Sequence, residues 1–281
     1  MIKPIPARPM PVTLLPSVVY KDIDGIKLHL DITRPATPGM FPAAIGIFGF
    51  GAYLTSHYEV GTTSNCCPLI AAHGFVTASI QVRTSFEARY PAQIEDVKDA
   101  IRFLKANAIT FNLNPDKIGI WGHSASAHLA ALAGLMKDEV GSTSAQIQAV
   151  VIGSGPADFL DFGGYFQADH PVLTQLFGGK LTDNEDLARA ASPLQHVTKD
   201  APPFLIAHGT LDETIPFRHA QKLRDKLKER DKLKEVGAKV EFVELKNCYH
   251  NWAEELEPES GEGNEGQLNV LALEFFQKHL A

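Results

Sequence analysis

The 281 residues are 44% hydrophobic and 21% charged, the balance of an ordinary globular protein, and the length fits one α/β sheet domain able to bury about three quarters of its unfolded surface. A net charge of −7 argues against nucleic-acid binding, which wants a clustered basic face, and no apolar run approaches the ~18 residues of a membrane-spanning helix. Cys66, Cys67 and Cys248 make an odd count without metal-ligand spacing, so they read as reduced thiols, with no metal expected.

The chain begins with a Pro-rich arm that lacks the apolar stretch of a signal peptide. The expectation is a cytoplasmic protein, or a secreted one whose leader has been removed. Val18, Val19 and Tyr20, then residues 26–30, flank Asp24-Gly25, the pattern of a β-hairpin. Apolar runs follow at 43–48, 76–82, 118–121, 150–153, 204–207 and 240–245. Most are continuous rather than alternating, as strands covered on both faces should be.

Helical segments fall between the strands. Residues 91–108 put Ile94, Val97, Ile101 and Leu104 on one stripe. Residues 125–136 are rich in Ala and Leu, strong helix formers. Pro216 opens another helix, where its missing N–H costs nothing, and 268–280 make the last. Strands alternating with helices predict an α/β fold: a mostly parallel central sheet with helices on both faces. Residues 1–281 read as one domain, with 155–203 as a loop-rich cap insertion near the carboxyl ends of the strands, where open α/β sheets bind ligands.

Within the helix after Pro216, residues 224–229 (RDKLKE) recur at once as 230–235. Six steps of ~100° rotate the second copy by about 240°, so it is expected to be a solvated extension.

Gly122-His123-Ser124-Ala125-Ser126 lies between a strand and an Ala-rich helix. That is the setting of a nucleophile elbow, a sharp turn exposing a serine hydroxyl above the sheet. A hydroxyl needs a base to take its proton. His250, in the loop after the strand at 240–245, is the candidate. Asp212, after the strand at 204–207, is the carboxylate expected to fix the imidazole tautomer and stabilise its charged form. Glu213 and Asp158 are the other acids at strand ends, and His123 and His208 read as packing or hydrogen bonding locally. The oxyanion should meet two backbone N–H groups: that of Ala125, and that of Phe50 or Gly51 in the Gly-containing turn after the strand at 43–48. Tyr53, Phe159, Phe162, Tyr165 and Phe166 either line a substrate pocket or pack the insertion onto the body. No phosphate-binding glycine pattern is present at a strand–helix junction, so no cofactor is expected.

With these residues assembled, the chain resembles the esterase and lipase group of α/β-hydrolases, above all the BD-type feruloyl esterases and their hormone-sensitive-lipase relatives. The likeness runs over about residues 18–280 and is densest at 83–106, 114–125 and 201–216. It implies an α/β-hydrolase fold and hydrolysis of small-molecule carboxylic esters through an acyl-enzyme. It also implies a triad of Ser124, Asp212 and His250, with oxyanion donors around Phe50, Gly51 and Ala125, and leaves monomer or homodimer open. Two positions depart from the group: its H-G-G-G turn reads F-G-F-G at 48–51, and the elbow ends in Ser126 rather than glycine. Residues 211–216 also resemble oligopeptidase catalytic domains, which carry a large propeller. A ligand-binding relative without catalysis is the third reading, against which His250 speaks.

Overall fold

The computed structural model describes residues 9–47, 66–136, 144–163, 169–233, 239–252 and 265–281. In chain order its elements are β1 (Val12–Ile23), β2 (Ile26–Pro35), β3 (Phe41–Ile47), α1 (Cys66–Ala71), β4 (Val76–Ile80), α2 (Ala92–Ala106), α3 (Ala108–Phe111) and β5 (Leu113–His123). They continue with α4 (Ala125–Leu135), β6 (Ala149–Gly153), α5 (Pro171–Phe177), α6 (Glu185–Ala191), β7 (Phe204–Gly209), α7 (Arg218–Leu233), β8 (Val240–Leu245) and α8 (Glu265–Leu280).

The strands form one sheet in the order β1-β2-β4-β3-β5-β6-β7-β8. β1 and β2 form the expected hairpin, longer than its apolar core suggested, and turn at Asp24 and Gly25 with φ of 52° and 85°. Two successive positive φ angles are what a tight hairpin turn demands. β2 pairs antiparallel with β4; every pair from β4 through β8 is parallel.

Alternation along the strands sorts the core into two layers, because successive side chains leave opposite faces of a sheet. Ala43, Ile45, Ile118, Ile120, Val150, Ile152, Phe204 and Ile206 pack on one face with α2, α4 and α7. Ala44, Trp121, Ala149, Val151, Leu205 and Ala207 pack on the other, with α1 and α8. The stripe of Ile94, Val97, Ile101 and Leu104 on α2 is fully buried, as its spacing predicted.

Three local features differ from the sequence reading. α7 starts at Arg218, since Pro216 lies in a turn that its carbonyl closes by accepting from the His219 N–H. The segment between β6 and β7 carries α5 as well as the polar helix α6. The second RDKLKE copy is not wholly solvated, for Arg230 and Asp231 are each 4% exposed. The Arg230 guanidinium donates to Asp231 and to the carbonyls of Ala201 and Pro202, while Asp231 accepts the Lys239 N–H. The rotation that takes this copy off the Leu223–Leu227 face turns it toward the chain entering β7 and β8.

The segment between β6 and β7 is fastened to the body by buried polar groups. His128 on α4 donates to the Ala191 carbonyl at 2.6 Å, and His219 on α7 donates to that of Phe162 at 2.7 Å. Tyr90 donates to the Ala190 carbonyl at 3.0 Å. Asp96 on α2, wholly buried, anchors the loop after β4 by accepting from Lys21 and from the Arg83 backbone and guanidinium. Among the described residues no helix is long and apolar enough to cross a membrane.

Candidate active site

Ser124 terminates β5 and caps α4. Its backbone, at φ 56° and ψ −122°, lies where a residue with a Cβ is strained, at a cost of about 1–3 kcal/mol. The turn is held from outside by the Ser124 N–H, which donates to the Gly153 carbonyl at 2.9 Å. It also requires close passage. A Cβ on Gly122 would stand 2.5 Å from the Ser126 carbonyl carbon, so only glycine fits there. Position 126 takes a serine, 3% exposed, without opening the turn.

His250 and Asp212 arrive from the loops after β8 and β7, at the same rim of the sheet. His250 Nδ1 stands 2.8 Å from Asp212 Oδ2, and Nε2 stands 2.9 Å from Ser124 Oγ. An ionised carboxylate only accepts, so Nδ1 carries the proton and Nε2 turns its lone pair toward the serine hydroxyl. The three side chains thus form one continuous relay. Asp212 is fully buried in its side chain, and His250 is 17% exposed. Burial pushes the Asp212 carboxyl up, but hydrogen bonds from His208 and His250 outweigh it and hold the group well below the usual carboxylate range. Its other oxygen accepts the Ile215 N–H at 2.8 Å.

The imidazole loop is braced from behind. His123 Nε2 donates to the His250 carbonyl at 3.0 Å, and its ring meets Trp252 edge-on at 5.6 Å. Trp252, 1% exposed, donates its indole N–H to Ser154 Oγ at 2.9 Å. Burial, then the neighbouring His250, lowers the His123 imidazole to about 3, so it stays neutral beside the relay.

Ala125 is the first residue of α4, and the N–H groups of a helix's first turn have no intrahelical acceptor. Its amide therefore has no acceptor within α4 and follows Ser124 directly in the chain. Phe50, Gly51, Tyr53, Tyr165 and Phe166 lie outside the described residues. Phe159 and Phe162 are buried, at 3% and 6% exposure. Phe159 packs against His128, Phe162 and Phe177, and Phe162 against His219. Of the other acids, Glu213 is exposed, and Asp158 is paired with Lys222 at 2.8 Å. Sequence reasoning gave His208 and His123 local hydrogen bonding without naming their partners, and passed over Ser154 and Trp252 as supports. The i,i+4 spacing of His208 and Asp212 around a turn was the available signal for His208.

Known proteins place this chain in a family. The BD-FAE family profile matches residues 30–227. Esterase LipQ of Mycobacterium tuberculosis is 32% identical over 184 residues, 63% of this chain and 42% of its own length. Esterase LipC of the same organism is 32% identical over 244 residues, 84% of this chain and 59% of its own length. The chain thus spans about half the length of these relatives. A truncated carbohydrate esterase from gut microbiota superposes with a TM-score of 0.78 at 28% identity, covering 97% of this chain and 98% of that one. Matched over more than half its length and built on the same sheet, the chain belongs to the BD-FAE family and has the α/β-hydrolase fold.

Proposed function

We propose that this chain hydrolyses carboxylic esters through an acyl-enzyme on Ser124. The observation that carries the reading is the unbroken relay from Ser124 Oγ through His250 to Asp212, with contacts of 2.9 and 2.8 Å. Ser124 Oγ attacks the ester carbonyl carbon as His250 Nε2 takes the hydroxyl proton. Charge gathers on the carbonyl oxygen, where the Ala125 N–H, and that of Phe50 or Gly51, stabilise it. Collapse of the tetrahedral intermediate breaks the bond to the leaving alcohol, which receives its proton from His250. Water then enters, gives a proton to His250, and releases the acid in the same way. Asp212 stays ionised throughout and stabilises the imidazolium.

The reading agrees with the esterase names of the mycobacterial relatives and of the carbohydrate esterase. The substrates we propose are small-molecule esters with short acyl groups, or aryl and carbohydrate-linked esters. Residues 155–203 are proposed as a cap insertion, a reading supported by the burial of Phe159 and Phe162 in the core cluster.

The test is a panel of acetate, butyrate and ferulate esters run on the wild type and Ser124→Ala together. Ser124→Ala should lose about 10⁴-fold or more in turnover, and a fluorophosphonate probe should label only the wild type. A Ser124→Ala protein that hydrolyses the panel at the wild-type rate ends the proposal.

A further inference from the structure

His208, the fifth residue of β7, is wholly buried and sits four residues before Asp212. Its Nε2 lies 2.8 Å from the Ile215 carbonyl oxygen and 3.1 Å from Asp212 Oδ2. Both neighbours are acceptors, so Nε2 carries the proton and shares it between them. The ring's Nδ1 has no hydrogen-bond partner among the described residues. A proton there would be a buried donor without an acceptor, which is costly, so the N–H that the structure uses is the one on Nε2.

That one N–H closes a circuit around the acid turn. The Ile215 N–H donates to Asp212 Oδ1, the Ile215 carbonyl accepts from His208, and the same His208 nitrogen faces Asp212 Oδ2. Oδ2 is also the oxygen that receives the His250 N–H. Two imidazoles therefore compete for one carboxylate oxygen, one from the rigid strand β7 and one from the loop carrying the base.

We propose that His208 is a positioning residue for the acid of the triad, fixing the Asp212 carboxylate and tempering its pull on His250. The inference rests on the triad reading given above. Fixing matters because a carboxylate misplaced by a fraction of an ångström no longer holds the imidazole in line with the serine. Tempering follows because negative charge engaged by His208 is not available to stabilise the His250 imidazolium.

The surroundings leave this pair to set the balance. Among the described residues, the titratable groups around it are His250 from the loop after β8, His123 from β5 and His219 from α7. Phe217 closes one side with its ring 5.8 Å from that of His208. Glu213, on the same loop, is exposed.

The experiment compares His208→Gln with His208→Asn in the full chain, by pH profiles of kcat/KM on p-nitrophenyl acetate. A Gln amide nitrogen occupies the place of Nε2 and can donate to both acceptors. An Asn amide reaches only the place of Nδ1. His208→Asn should lose about 10- to 100-fold in kcat with KM nearly unchanged. Its acid limb should move up by about half a pH unit, because Asp212, relieved of one donor, stabilises the imidazolium more strongly. His208→Gln should keep the wild-type limb and most of the turnover.

If His208→Asn does not fold, His208→Leu with the His250 Nδ1–H proton resonance replaces it, and that resonance should shift relative to wild type and His208→Gln. An acid limb or resonance that stays in place without the donor, or a Gln variant as impaired as the Asn one, overturns the inference. Ser124→Ala, run alongside, separates the two failures: if it retains hydrolysis the triad reading fails, whereas if it is inactive and the limb is unmoved, only the role of His208 does.

Discussion

At Ser124 the chain holds one residue in a backbone conformation that its side chain resists, and the Gly153 carbonyl and the turn at Gly122 keep it there. Strain of this kind is released by removing the Cβ. Ser124→Gly should therefore be more stable than Ser124→Ala by about 1 kcal/mol, with both inactive, in calorimetric melts. Equal stability would mean that the elbow is not strained. The sequence showed the serine, histidine and aspartate through their order and their places after strands. It did not show which polar groups surround them. His208 and Asp212 are four apart in sequence, but their contact depends on the turn that carries Ile215 back onto β7, and no pattern of apolar residues encodes that turn. The expected oxyanion donor at Phe50 or Gly51 was read from the glycines, the place after a strand and the family resemblance, and lies outside the described residues.

Among the elements, α7 contains the six-residue motif once in full and begins it again at Arg230–Leu233, with different fates. Arg224 is paired with Asp225, 59% exposed, and lies over the Phe242 ring at 4.6 Å. Arg230 and Asp231 are buried against the entry to β7. Removing one member of a buried pair strands the other, so Arg230→Ala should cost about 3–5 kcal/mol in urea unfolding. Arg224→Ala should cost about 1 kcal/mol or less. Equal costs would overturn this assignment. Helical rotation alone placed the second copy in solvent, because periodicity describes a helix against one core face and omits what packs along its far end. The parallel strands were legible for the converse reason: a buried strand must be apolar on both faces whatever its neighbours. The hairpin's outer halves were not, since the first half of β1 is almost wholly exposed and lacks the regular alternation of a half-buried strand.

For the molecule as a whole, buried neutral histidines make acid the natural denaturant. Burial lowers His128 and His219 to about 4 and His123 to about 3, against about 6.5 in an unfolded chain. Above pH 6.5 neither state gains protons at these sites. As pH falls from there, the unfolded chain binds protons that the folded one refuses, and stability drops by up to about 1.4 kcal/mol per pH unit for each histidine. The loss runs down to the folded values. Asp212 extends it further, because a carboxyl held low in the fold stabilises above its unfolded value near 3.9 and ceases to as pH passes below. Urea midpoints should therefore fall steeply between pH 6.5 and 4, and His128→Gln, which keeps a donor for Ala191, should flatten the slope by about a third. A midpoint constant over that range would contradict this account.

The order of strands has a consequence for how such a machine wears out. His250 is suspended in the loop after β8, the outermost strand at one border of the sheet among the described residues, whereas Ser124 is rooted at the end of the interior strand β5. Peeling of that border under heat or denaturant would have to break the ties from His123 and Trp252 that hold the His250 loop, while Ser124 kept its posture, so the relay should come apart before the interior of the sheet does.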